Sequence, residues 1–153
     1  MVFRSYMGIA LQEAKAAASR GEVPVGAVVV GANGQVVAAA GNRTREYNDP
    51  TAHAEVLALR SACKAVGAER LGDYDLYVTL EPCAMCAGAI SNARIRRLYY
   101  GADDPKSGGT KHGAKVFSHP QCHHKPEIYD GLEATKAEAL LKAFFESRRK
   151  DIA

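Results

Sequence analysis

Two short stretches hold residues whose types and spacing can do chemistry: "TAHAE", from Thr51 to Glu55, and "TLEPCAMC", from Thr79 to Cys86. Taken alone, the C-x-x-C of Cys83 and Cys86 fits a redox dithiol, half of a structural zinc knuckle, or part of a catalytic metal site. His53 upstream changes the balance. An imidazole with two thiolates makes a charge-balanced donor set suited to Zn²⁺. Three protein ligands leave the fourth tetrahedral position to water, the nucleophile, whose pKa a catalytic zinc lowers to roughly 7. Glu55 stands two residues past His53, a step that turns it away from the ligand face of a helix. It reads as the catalytic proton shuttle, general acid–base work of about 10²–10⁴ in rate. A redox dithiol would leave His53 and Glu55 without a role, and "PCAMC" offers it no polar resolving context.

The elements that must carry these residues follow from pattern. The N-terminal "MVFRSYMGIALQEAKAAASRGE" has apolar positions spaced by three and four, an amphipathic helix. "VPVGAVVVGANGQVVAAAGN" reads as two β-branched runs around "GANGQ", with Asn33-Gly34 supplying the positive φ angles of a tight hairpin turn. "TAHAEVLALRSACKAV" is a helix with Thr51 as its N-cap. "DLYVTL" is a short apolar strand covered on both faces. "PCAMCAGAISNA" is a helix with Pro82 near its first position, "IRRLYYGA" a strand, and "LEATKAEALLKAFFESRRK" the last helix. Both ligand helices begin at their ligands, so two positive helix ends face the metal and favour thiolates. Cysteines three apart on one helix face the same side. Strands alternating with helices, with no linker or repeat, predict one α/β domain over residues 1–153, built on a mixed sheet.

Composition narrows the class without choosing it. The chain has 153 residues, 47% hydrophobic and 24% charged, and its 20 basic and 17 acidic residues leave a net charge of +3. That is an ordinary soluble balance, too mild to specify nucleic acid. No apolar run reaches the roughly 20 residues of a membrane span, and the N-terminal pattern is no signal peptide, so a cytoplasmic location is expected. Four cysteines in such a chain favour metal binding over a disulfide framework. Cys63, within an apolar helical pattern, reads as a small buried hydrophobe. In the tail "FFESRRKDIA", the basic Arg148, Arg149 and Lys150 adjoin Phe144 and Phe145. That mixture suits either a core edge with a solvated end or a surface that grips phosphates and stacks a base.

The pairing H-x-E … P-C-x-x-C is the signature of zinc nucleobase deaminases. Beyond it, "EVPVGAVVV", "NDPTAHAEVLALR", "YVTLEPCAMCAGAI" and "YYGADDPKSG" resemble the corresponding blocks of bacterial tRNA-specific adenosine deaminases. The resemblance covers nearly the whole chain. It implies a cytidine-deaminase-like three-layer α/β/α sandwich with about five strands, usually a homodimer. The implied reaction is hydrolytic conversion of adenosine to inosine at the wobble position of a tRNA anticodon, with one Zn²⁺ per subunit. By the same resemblance His53, Cys83 and Cys86 are the zinc ligands, Glu55 the shuttle and Asn42 the residue that holds the target nucleoside. Asp104 and Lys106 match a loop approaching the anticodon backbone. Arg148 and Arg149, with Phe145 beside them, match the basic end of the last helix, which meets the RNA.

The chain also departs from the family pattern. Where the family commonly has Gly-Ser after the lysine loop and Asn-His before the last strand, it reads "GGTKHGAKVF" and "QCHHKPEI", with His123 in place of Asn. His112, His119, His123, His124 and Cys122 have the spacing of no standard second metal site. Two other readings share the motifs: a guanine, cytosine or free-nucleoside deaminase of the same fold, and a non-catalytic zinc-stabilised RNA-binding module. The last needs a fourth protein ligand and no Glu55.

Overall fold

A computed structural model describes residues 3–152. Its elements run α1 (Met7–Ser19), β1 (Gly26–Gly31), β2 (Val36–Gly41), α2 (Ala54–Val66), β3 (Tyr74–Leu80), α3 (Ala84–Ala93), β4 (Arg97–Ala102), a 3-10 turn (Val116–Ser118), β5 (Glu127–Tyr129) and α4 (Ala134–Ile152). The strands form one mixed sheet in the order β2-β1-β3-β4-β5. β1 pairs antiparallel with β2 and β3, while β3, β4 and β5 run parallel.

Alternation along the strands builds the three layers. Ala27 and Val29 of β1, Leu76 and Val78 of β3, and Leu98 and Tyr100 of β4 pack with Ala58 and Leu59 of α2 and Ala87 and Ile90 of α3. The intervening Val28, Val30, Tyr77 and Tyr99 pack with Met7, Ala10 and Leu11 of α1 and Ala137 of α4. Successive side chains point to opposite faces, so a strand covered on both sides must be apolar throughout. On the α1 side, Tyr77, Tyr99 and Tyr129 stack across three strands at 4.4 and 5.0 Å. The close seat of α1 on β1 requires glycine at position 26, where a Cβ would lie 1.9 Å from the Ala10 carbonyl oxygen.

The topology gathers one end of the sheet for a site. β1 starts where β3 ends, since Ala27 pairs with Val78, and β2 ends beside the start of β1, where Gly26 pairs with Gly41. The parallel β4 ends there too, with Leu80 opposite Ala102.

Three local expectations are corrected. In the hairpin only Gly34 takes a positive φ, at +83°; Asn33 does not. Gly34 N–H closes onto the Gly31 carbonyl at 2.9 Å, and the register shifts between Val29 and Val30. That is a longer turn with a bulge, not a two-residue turn. The N-cap of α2 is His53, not Thr51. Thr51 is instead held in the preceding turn, its N–H and hydroxyl donating to the Asp49 carboxylate at 2.8 and 2.7 Å. Pro82, as expected, sits near the first position of α3, just ahead of its N-cap Cys83. Cys63 is partly exposed rather than buried, with its thiol directed at the Glu69 carbonyl.

Candidate metal centre and active-site pocket

Two strand–helix junctions present the donors. β2 gives way to a polar turn and then α2, capped by His53; β3 gives way to Glu81-Pro82 and then α3, capped by Cys83. Each cap residue is extended, with ψ of 153° and 174°, so its side chain projects ahead of its helix toward the other. Cys86, one turn into α3, is fully buried beneath them. His53 Nδ1 lies 3.6 Å from Cys83 Sγ and 3.5 Å from Cys86 Sγ. Tetrahedral zinc with Zn–S of about 2.3 Å and Zn–N of about 2.0–2.1 Å has an N···S edge of about 3.6 Å. The donors fit that ion in kind and in spacing. Among the described residues, these three form the only His, Cys, Asp and Glu cluster spaced to hold a metal.

The electrostatics of the cluster suit a set of metal donors. The adjacent Cys86, aided by His53, holds the Cys83 thiol down to about 4. Cys86 goes up, because Cys83 already carries the negative charge and burial opposes a second. Contact with Cys83 raises His53. Glu55 follows on α2, 4% exposed, and burial pushes its carboxyl up to about 7. A carboxyl that gains and loses a proton near neutrality suits general acid–base work.

The cluster opens into a cavity of about 210 Å³ lined in part by Val25, Asn42, His53, Glu55, Cys83 and Asp104. Asn42 follows β2, and its Oδ1 accepts the Ala54 N–H at 2.7 Å. Only the amide oxygen can accept, so the Nδ2 group remains available to donate. The His53 side chain makes no cap bond of its own, so Asn42 caps α2 across the junction.

Some residues named from the sequence lie elsewhere. Lys106, Phe145 and Arg149 are exposed and do not line the cavity. Phe145 meets Phe144 edge-on at 5.3 Å. Arg148 lies over the Phe144 ring at 4.9 Å and donates to the Gly21 carbonyl, which ties the end of α4 to the segment leading to Val23 at the cavity wall. The histidines at 119 and 123 line a separate groove with Cys122 against α3, and His124 is bonded to the Ile95 carbonyl at 2.7 Å.

Two buried carboxylates escaped the sequence reading. Glu22 accepts the Arg45 and Glu46 N–H groups at 3.1 and 2.9 Å, fixing the turn after Asn42. Glu81, 2% exposed, accepts the N–H groups of Asp104, Thr110, Lys111 and His112. The available signal was a charge closing an apolar strand, which burial tolerates only with partners.

Comparison with known proteins places this chain in a family. The family described as MafB19-like deaminase matches residues 3–149. The tRNA-specific adenosine deaminase of Agrobacterium fabrum is 57% identical over 146 residues, 95% of each chain. A solved structure described as a tRNA:A34 deaminase editing at the wobble position of transfer RNA superposes with a TM-score of 0.87 at 58% identity, covering 89% of this chain and 98% of that one. Guanine deaminase from Bacillus subtilis superposes with a TM-score of 0.66 at 32% identity, covering 95% of both. The chain belongs to the deaminase family of the bacterial tRNA-specific adenosine deaminases, with their cytidine-deaminase-like fold.

Proposed function

We propose that this protein hydrolyses adenosine to inosine at the wobble position of a tRNA anticodon, as one domain acting in the cytoplasm. The observation that carries the chemistry is the triangle of His53 Nδ1, Cys83 Sγ and Cys86 Sγ beside the buried Glu55. The base assignment is supported by 57% identity to a relative named for that activity. His53, Cys83 and Cys86 would hold Zn²⁺, which when bound would supply Lewis-acid activation of the attacking water. Glu55 takes a proton from the attacking water and passes it to the purine ring nitrogen, then takes the second proton from the new C6 hydroxyl and passes it to the leaving amine. The C6–N bond breaks, a C6–O bond forms, and ammonia leaves. Asn42, pinned by its cap bond, directs Nδ2 to the nucleoside. The cavity, about 210 Å³, is small enough to enclose a base and exclude bulk water.

Supporting the RNA assignment, Lys106 and Arg149 lie exposed with cationic heads free to meet phosphate, and Phe145 offers an exposed ring to stack a base. An anticodon loop already presents unpaired bases, so extruding one costs little. The protein acts as a homodimer in this reading, as its family resemblance implies. A guanine deaminase shares the fold, so the test must compare bases. Zinc-loaded protein is incubated with an anticodon stem-loop carrying adenosine at the wobble position, and separately with free guanine. Inosine in the RNA with guanine untouched is expected. Guanine turnover without RNA inosine overturns the assignment.

A further inference from the structure

The loop between β4 and the 3-10 turn is fastened from beneath by one side chain. Glu81 leaves β3 with its side chain wholly enclosed. Its Oε1 accepts the Asp104 N–H at 3.0 Å, and its Oε2 accepts the N–H groups of Thr110, Lys111 and His112 at 3.3, 3.0 and 3.0 Å. The fifth bond is the shortest: His112 Nδ1 to Oε1 at 2.7 Å. A carboxylate only accepts, so His112 carries its proton on Nδ1. The contact is too close for side chains to intervene. A Cβ at position 108 would stand 2.2 Å from Glu81 Oε2, and one at position 109 would stand 2.4 Å from the Ala84 nitrogen. "GGTKH" is therefore the sequence of a segment drawn flat over a buried carboxylate.

This arrangement faces the reaction. Asp104 and Ser107, which open the fastened loop, line the cavity with Glu81 itself. Within the loop the Ser107 N–H donates to Asp104 Oδ1 at 3.0 Å, and the Gly108 N–H to the Asp104 carbonyl at 2.8 Å. Fixing 108–112 thus fixes the wall residues at 104 and 107. Exposed Lys106 rides on the same loop.

We infer that Glu81 and His112 form a clasp that holds the 104–112 loop in its RNA-receiving shape, making His112 a positioning residue for substrate binding. The inference rests on the proposed RNA reaction. The one side-chain hydrogen bond His112 makes among the described residues is to Glu81, and its side chain is 31% exposed. Removing its ring leaves four backbone donors on Glu81, so the fold and the metal site survive. What is lost is one hydrogen bond to a charged group, and with it the rigidity of the loop before RNA arrives.

The test is steady-state kinetics on the wobble-adenosine stem-loop with zinc-loaded protein. His112→Ala is expected to raise KM about tenfold, equivalent to about 1.4 kcal/mol, with kcat and zinc content close to those of the unmodified chain and Tm lower by only the several degrees that the one lost bond accounts for. His112→Asn, whose Nδ2 can reach the place of the imidazole Nδ1, is expected to restore KM. A role in mere stability predicts instead that Tm or zinc falls while KM holds. Unchanged KM in His112→Ala, a loss confined to kcat, or failure of His112→Asn to rescue would each overturn the clasp. If the unmodified chain leaves the stem-loop unedited, the functional reading itself falls and takes the clasp with it.

Discussion

Asn42 joins the fold to the site through one atom, which makes its substitution unusually informative. Its Oδ1 accepts the N–H of Ala54, the first residue of α2, at 2.7 Å. Asn42 is 9% exposed and no side chain of the helix performs this capping. Asn42→Ala leaves that N–H without its partner, at a cost of about 1–3 kcal/mol. For a chain of this size about 2–4 °C of Tm accompanies each kcal/mol, so a fall of about 2–12 °C is expected. Because Ala54 directly follows the donor His53, zinc affinity is expected to weaken as well. Asn42→Asp separates the two halves of the side chain. It keeps an acceptor for Ala54 and adds negative charge at a helix N-terminus, worth about 0.3–1 kcal/mol, but it removes the Nδ2 donor. Its Tm should stay within a few degrees of the unmodified chain, while editing of the stem-loop falls at least about tenfold, the effect of 1.4 kcal/mol. Thermal unfolding, zinc analysis and inosine yield measure the three quantities. An unshifted Tm in Asn42→Ala refutes the cap, and full editing by Asn42→Asp refutes the donor.

Other perturbations follow from the same geometry. Gly26→Ala drives a methyl to 1.9 Å from the Ala10 carbonyl and 2.6 Å from the Ala14 nitrogen. Neither backbone atom can step aside, so a loss of about 3 kcal/mol is expected, read by denaturant unfolding. Removing the metal with a chelator bares Cys83, whose thiol is held at about 4, whereas Cys63 and Cys86 are raised. Iodoacetamide at pH 6 should then label Cys83 ahead of those two, and added zinc should protect it; peptide mass mapping reads the sites. Lys106→Ala and Arg149→Ala, at exposed positions, should leave Tm alone. Each should lower the salt slope of stem-loop binding by about 1 if it meets a phosphate.

The ligand set was legible because chemistry dictates it. Few residue types suit a metal, and His53, Cys83 and Cys86, a cluster spaced to hold one, stand at helix starts that the sequence marks, with Glu55 two residues past His53. The strands were legible too, since β3 is covered on both faces and reads as an almost continuously apolar run, broken only by Asp75 and Thr79. What stayed hidden depends on partners distant in the chain. Glu81 is understood only when the N–H groups of residues 104 and 110–112 fold back onto it, and the capping role of Asn42 only when Ala54 arrives beneath it. Thr51 was assigned the cap because side-chain preference favours it, yet Asp49 had already engaged it. In the tail, composition could not say which way "FFESRR" faces. Arg148 turns inward to Gly21 and Phe144, while Phe145 and Arg149 turn out.

The most direct test of the central claim is the single-turnover conversion of wobble adenosine by the unmodified chain and by Glu55→Ala, with bound zinc measured in both. The account predicts about one zinc per chain in each protein, inosine formed by the first, and essentially none by the second. Editing that survives the loss of Glu55, or zinc that departs with it, would contradict the separation of metal donors from proton shuttle on which the account stands.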